Sequence, residues 1–335
     1  MVSGALRSFI DKALSDEDWK LKSIDNGANN RGYKLDTKDR SYFLKCFAPC
    51  ASAASKLKQE YEFSRILFDA GIIQIAEPVS YDIDALAAVY SFIEGSPFSA
   101  VQEKDVDDAV KFIQAINSPG VVSQDMPFAT ESPINFRSFV DIMEQRLGLL
   151  HKFCRYDSAI TGLVSEVASR CASIASDHRV CWETALPRTI VSPSDFGFHN
   201  ALKGCQSSHF IDFEYAGLDS PWKLICDFFS QPSVPVPLSY VKKFLDLEMF
   251  KEQTDSVYTL IRLFELTQLK WCLIMLNEFL PEIQARRIYA LGDCANNDEM
   301  SNLIKAMQSK QLIKSERYFS KIDDMIEQFH CGIRS

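Results

Sequence analysis

Three polar residues within one short stretch have the types and spacing of a phosphoryl-transfer site. Asp195 is followed five residues later by Asn200, and Asp212 comes 12 residues after that, directly behind Phe210 and Ile211. Transfer from a nucleoside triphosphate to a hydroxyl needs such a set. One carboxylate orients the attacking hydroxyl and takes its proton, while an amide oxygen and a second carboxylate hold Mg²⁺ against the phosphates. Asp-x-x-x-x-Asn alone occurs by chance in many proteins, but an apolar-Asp-Phe segment at the proper distance behind it narrows the field. A competing reading starts from Asp195-Phe196-Gly197, which spells the metal-binding tripeptide of protein kinases. That role would require a catalytic Asp-x-x-x-x-Asn upstream, yet five residues after Asp157 stands Gly162, and five after Asp177 stands Trp182. Asp195 is therefore read as the base, and Asn200 and Asp212 as the metal ligands.

The N-terminal part supplies matching pieces. Lys45 lies in a strand-like Tyr42-Phe43-Leu44-Lys45 pattern, from which its ammonium can reach the α- and β-phosphates. Glu60 or Glu62 in the next helix can pair with it, and Glu60, near the middle of that helix, is the better placed. The stretch Gly27-Ala28-Asn29-Asn30-Arg31-Gly32 has the small residues of a turn over phosphates, with Gly27 and Asn30 as its candidate contacts.

Among the elements that carry these residues, 1–19 read as a short amphipathic helix. A β-turn-β unit follows through Cys46, and 52–71 reads as a helix ended by Gly71. Residues 72–81 look extended, and 87–93 form a buried strand stopped by Glu94-Gly95-Ser96-Pro97. The remainder is mainly helical, with helices near 102–117, 134–153, 158–177, 237–252, 255–280, 282–291 and 299–328. Residues 187–228 break this pattern. There Thr189–Val191 and His209–Ile211 read as short strands, with Lys203–Ser208 as a hairpin turn. The plan is α+β: a small β-rich lobe over 1–95, which would bind nucleotide, and a helical lobe over 96–335 carrying the catalytic loop and metal hairpin.

With its motifs in this order the chain resembles the aminoglycoside phosphotransferase and choline kinase-like family, which shares the bilobal protein kinase fold. The family's H-G-D-x-x-x-x-N stands here as Pro193-Ser194-Asp195-Phe196-Gly197-Phe198-His199-Asn200, and its I-D-[FW]-[DE] as Ile211-Asp212-Phe213-Glu214. The likeness spans roughly residues 20–230. It implies ATP or GTP as donor, Mg²⁺, and a small-molecule hydroxyl of aminoglycoside, amino alcohol or sugar type as acceptor. It further implies a nucleotide-contacting hinge from Ser91 to Gly95, including Ser91 and Ile93, and a support for the catalytic loop at Asp227, behind Gly217-Leu218-Asp219-Ser220-Pro221. One position departs from the pattern: the usual histidine two residues before the catalytic Asp is Pro193. That departure keeps open an alternative, a pseudokinase of the same fold that binds nucleotide as a regulatory protein.

Composition agrees with this plan and excludes others. The chain has 335 residues, 47% of them hydrophobic and 12% aromatic, which excludes a wholly disordered protein. A formal net charge of −9 argues against nucleic acid as partner and mildly favours a cationic acceptor. No apolar run reaches membrane-spanning length, and the N-terminus lacks a signal-peptide core, so a cytoplasmic protein with reduced cysteines is expected. The bland readings are equally definite. His199 is expected to be structural or to shape the substrate site, Trp182, Trp222 and Cys226 to belong to the core, and the Asp105–Asp108 cluster to be a solvated helix start. The acceptor would be read by helices of the second lobe and by the 118–135 loop.

Overall fold

Alternating apolar residues build the N-terminal sheet. Leu35, Tyr42, Leu44, Ala87 and Val89 share one face by the period of two, and all are buried. The structure is a computed structural model and describes residues 4–15, 18–24, 29–121, 126–154, 157–251, 256–291 and 297–334. Helix α1 (Gly4–Ala13) covers that face with Phe9 and Ile10. Five antiparallel strands, β1 (Lys20–Ile24), β2 (Arg31–Asp36), β3 (Ser41–Cys46), β4 (Pro78–Asp82) and β5 (Ala87–Ser91), run in the order β1-β2-β3-β5-β4. The opposite face, with Ala88 and Tyr90, packs on Phe47 and on Leu57 of helix α2 (Ala53–Asp69). The chain then leaves the sheet through 92–95 and forms the two-residue strand β6 (Ser96–Pro97).

Beyond β6 the fold is mostly helical. Helices α3 (Glu103–Ile116), α4 (Arg137–Cys154) and α5 (Ser158–Ala175) precede the short strands β7 (Ile190–Ser192), β8 (Ala201–Lys203), β9 (Ser208–Phe210) and β10 (Gly217–Asp219). Strands β8 and β9 form the expected hairpin, and β6 adds to β8, which ties the exit of the first sheet to the second lobe. The helices α6 (Pro221–Ser230), α7 (Val241–Leu245), α8 (Glu248–Lys251), α9 (Val257–Met275), α10 (Pro281–Leu291), α11 (Asn297–Phe319) and α12 (Ile322–Arg334) complete the chain.

A run of phenylalanine rings forms the centre of this lobe. Phe112 of α3 stacks on Phe210 at 4.5 Å, Phe196 on Phe228 at 4.9 Å, and Phe228 meets Phe244 at 4.7 Å between ring centroids. Buried rings of this size contribute area and offset-stacking energy together. Phe196, Phe198, Phe210 and Phe213 all belong to the 187–228 island, so the same core that holds the helices also fixes the loop between them.

Several expectations need correction. The helix expected over 1–19 ends at Ala13, with Ser15 at φ 53°, and β1 was not foreseen. Its Lys-Leu-Lys-Ser-Ile sequence buries little, as an edge strand does. The helix expected over 237–252 is divided into a 3₁₀ turn (Leu238–Tyr240), α7 and α8, because Leu247 N–H bonds back only three residues, to Phe244 O at 3.0 Å. The helix expected over 299–328 is two helices. Lys321 N–H bonds Tyr318 O at 3.1 Å, and the turn lets Ile322 and Phe329 reach the core. Nor are Asp105 and Asp108 solvated. Asp105 accepts the N-cap N–H of Gln102 at 2.9 Å, and Asp108 accepts both the N–H (3.0 Å) and the hydroxyl (3.2 Å) of Ser208. A helix-start acid can be buried when backbone donors satisfy it.

Candidate active site

In the loop from Ser192 to Asn200 only Asp195, His199 and Asn200 keep some exposure. Phe196 and Phe198 are sunk in the aromatic core, while a third of the Asp195 side chain, 34%, faces solvent. Asn200 donates its Nδ2 to the Asp195 carbonyl at 3.0 Å and to Asp195 Oδ2 at 3.2 Å. Both bonds use the amide nitrogen, so neither engages the amide oxygen. His199 Nε2 lies 3.1 Å from Asp195 Oδ1. Each carboxylate oxygen of Asp195 thus has a partner from the same loop. Burial pushes the Asp195 carboxyl upward, but the pairing with His199 and the bond from Asn200 outweigh it and hold it below the ordinary range.

Two residues of this region occupy the left-handed backbone region at φ 67°: Ser194 and Asp212. Such a conformation costs a residue with a Cβ about 1 kcal/mol or more and persists only where neighbours impose it. Ser194 is so constrained. Its hydroxyl accepts from Lys223 Nζ at 2.8 Å and donates to Thr130 O at 3.2 Å. The Thr130 segment comes this close because Gly217 lacks a side chain, since a Cβ there would meet Pro127 O at 2.3 Å.

Lys223 is itself buried between Asp219 at 2.9 Å and Asp227 at 3.1 Å. Asp227 also accepts from Lys270 at 2.6 Å. Burial raises Asp219 and also acts to raise Asp227, but Lys270 and Lys223 together bring Asp227 below its ordinary value. Asp227 therefore reaches the Asp195 loop through Lys223 and Ser194. Lys223 and Lys270 did not figure among the sequence candidates. The spacing of Lys223 and Asp227 was the available signal, because residues four apart share a helix face, with Asp219 at the end of β10 just ahead of α6.

Across the cleft, Lys45 donates to Glu60 Oε2 and to Asp212 Oδ1, both at 2.6 Å. Glu60 meets the lysine, whereas Glu62 is exposed and faces Tyr81. Burial raises the Glu60 carboxyl to about 7 against the pull of Lys45. Burial also acts to lower Lys45, but Asp212 and Glu60 outweigh it and raise it well beyond the lysine range. Both shifts are upward, which favours the neutral form of Glu60 and the charged form of Lys45. The lysine's direction governs its charge, because Asp212 stays beside it when Glu60 takes up a proton. The Asp212 side chain is 40% exposed. Carboxylate oxygens of Glu60, Asp212 and Glu214 lie within 4.8 Å of one another, and Lys56 holds Glu214 at 3.0 Å.

Of the remaining candidates, Gly27 lies outside the described residues. Asn30 Oδ1 accepts from Ala48 N–H at 3.1 Å, which fastens the turn to the segment behind β3. Ser91 ends β5, its hydroxyl accepting from Glu77 N–H at 2.8 Å, and Ile93 is half-buried in the connection to β6. Trp222 and Cys226 are buried in the core, and Trp182 packs against it. The nine cysteines among the described residues are free thiols. No helix among the described residues is long and apolar enough to cross a membrane.

Comparison with known proteins gives the same picture. In fold the chain is similar to the streptomycin–ATP–APH(2″)-IIa ternary complex, at 14% identity, covering 93% of this chain and 99% of that one, with a TM-score of 0.57. It is similar to a choline/ethanolamine kinase family protein from Mesorhizobium loti (13% identity, 98% of both chains, TM-score 0.57). It is also similar to the choline kinase LicA from Streptococcus pneumoniae, at 15% identity, covering 95% of this chain and 100% of that one, with a TM-score of 0.55. These likenesses establish the bilobal kinase-like α+β fold. No curated protein matches in sequence. The family profile described as Phosphotransferase enzyme family matches residues 20–228. The chain is a member of the phosphotransferase enzyme family.

Proposed function

We propose that this phosphotransferase moves the γ-phosphoryl group of ATP to a hydroxyl of a small molecule of aminoglycoside, amino alcohol or sugar type, in a cleft between lobes 1–95 and 96–335 acting as one unit. One observation carries the reading: Lys45, clamped by Glu60, meets Asp212 across the cleft, while Asp195 and Asn200 sit together in the facing loop. In this reading Lys45 fixes the α- and β-phosphates, the turn with Gly27 and Asn30 covers them, and the Ser91–Ile93 connection borders the base. Asp195 orients the acceptor hydroxyl and receives its proton as the new O–P bond forms and the bond to the ADP oxygen breaks. Asp227 supports the loop through Lys223. Positioning and charge supply the rate, with no covalent intermediate on the protein.

The donor set fits Mg²⁺. Asn200 has an amide oxygen that its bonds to Asp195 do not use, and the Asp212 carboxylate is partly open to the cleft. Hard oxygen donors of this kind suit that cation, which when bound neutralises charge on the phosphates. ATP is favoured as donor because fold neighbours were solved with ATP or ADP. The acceptor classes follow neighbours described as aminoglycoside phosphotransferases and choline kinases.

The test is a panel of hydroxyl acceptors incubated with Mg-ATP and followed by mass shift. Asp195→Ala is expected to lower transfer by at least about 100-fold while ATP still raises the melting temperature. Retained turnover in Asp195→Ala would remove the base assignment. Thermal stabilisation by ATP with no transfer to any acceptor would favour the pseudokinase reading that Pro193 raises.

A further inference from the structure

His199 is built into the cleft more firmly than a loop residue requires. Its Nε2 lies 3.1 Å from Asp195 Oδ1. Its other nitrogen, Nδ1, is sealed from solvent and has no hydrogen-bond partner. Trp271 of α9 sets its ring perpendicular to the imidazole, with centroids 6.2 Å apart. Gly197 clears the remaining space: a Cβ at that position would lie 2.8 Å from His199 Nδ1 and 3.0 Å from Gln231 Cγ. The glycine of Asp195-Phe196-Gly197 thus has a local reason to be there, and it concerns the histidine rather than a metal.

These contacts decide the tautomer. The ionised Asp195 carboxylate can only accept, so the imidazole nitrogen facing it must donate, and no acceptor faces Nδ1. The proton therefore belongs on Nε2, where it is donated to Asp195, and Nδ1 is left as the bare lone pair. Asn200 donates to the other carboxylate oxygen at 3.2 Å. Two donors from one loop fix the plane of the carboxylate.

We infer that His199 is a positioning residue for the Asp195 carboxylate, working as a fixed Nε2–H donor that acts with Asn200 to set the direction in which Asp195 meets the acceptor hydroxyl. The inference rests on the function proposed above for Asp195. It also accounts for Pro193: the histidine that precedes the aspartate in the family pattern is absent, and the loop supplies one four residues behind the aspartate instead.

Release of inorganic phosphate from Mg-ATP, with water as acceptor, tests the role without knowledge of the natural acceptor. His199→Phe keeps a ring but no donor, and is expected to lower kcat by about 10- to 100-fold, the scale of a small misplacement, with KM for ATP little changed. His199→Gln places an N–H near the Nε2 position and is expected to restore most of the loss. Gly197→Ala, which pushes on the ring, is expected to behave like His199→Phe. Unchanged kcat in His199→Phe, or His199→Gln no better than His199→Phe, overturns the inference. A proton–nitrogen correlation spectrum of the wild-type histidines supplies a readout that needs neither turnover nor a variant that folds. It is expected to show His199 with its proton on Nε2 and a signal displaced in Asp195→Ala. A proton on Nδ1 overturns the inference even if the enzyme turns over. An Nε2–H signature in a protein without any ATP turnover leaves the pairing intact and removes the proposed function.

Discussion

Two buried lysines in this molecule each stand between two carboxylates, and they differ in what surrounds them. Lys45 bridges Glu60 and Asp212, and one of these acids, Asp212, is 40% exposed. Lys223 bridges Asp219 and Asp227, is sealed on all sides, and adds a bond to Ser194. The first cluster joins residues 167 apart in sequence, whereas the second uses residues four apart, beginning at the end of β10 and running into α6. A charge that must meet a ligand has to keep one partner open to solvent. A charge that only fixes a loop is best fully paired and closed. The same three groups, an ammonium and two carboxylates, therefore make a partly open cluster in one place and a closed one under the Asp195 loop in the other.

The largest expected effect comes from breaking the closed cluster. Lys223→Met leaves Asp219 and Asp227 buried with one fewer cation, and loss of one partner from a buried pair costs about 3–5 kcal/mol. Denaturant unfolding measures this, and a cost near zero would mean that the cluster is not a structural rivet. Lys45→Met is expected to do the reverse. Glu60, already raised to about 7, takes up a proton instead of remaining an unpaired buried charge, so stability falls less than in Lys223→Met. Turnover of ATP falls by about 100-fold or more, the scale of losing one charge-stabilising donor. Equal losses of stability in the two variants would erase the distinction.

The smallest effect is one of pH. Asp227 has its pKa lowered in the fold by Lys270 and Lys223 against burial. Such a group stabilises the protein above the ordinary carboxylate range, near pH 4, and loses that contribution as pH falls through the lowered value. Asp227→Asn should therefore melt below wild type at pH 6, and the gap should narrow as pH falls from about 4 through the lowered value, below which the wild-type carboxyl is neutral in the folded protein as well. Calorimetry across that range measures it, and a gap that stays constant would mean that Asp227 is not held as a charge.

Much of the candidate site is legible in the linear sequence because its parts are local. Asp195 to Asn200 is one turn of chain, Asp212 ends one hairpin, and the β3 alternation marks Lys45. Lys223 escaped notice because its surroundings, not its type, make it unusual: most lysines on a helix are solvated. The β1 strand escaped because an edge strand with two lysines has little apolar alternation to read. The burial of Asp105 and Asp108 could not be read either, since a helix-start acid looks the same whether water or a distant Ser208 N–H satisfies it.

The order of lobes, the hairpin and the candidate acids and amide of the Asp195–Asp212 segment could be read from the chain alone, because periodicity and turn chemistry act over a few residues. Packing of distant segments chose which of two glutamates meets Lys45, brought Asp212 to them, linked Asp227 through Lys223 to Ser194, and set His199 beside Asp195. Those choices depend on packing between segments far apart in the chain: the phenylalanine core sets the height of the loop, and the space left by Gly197 and Gly217 sets what can approach it.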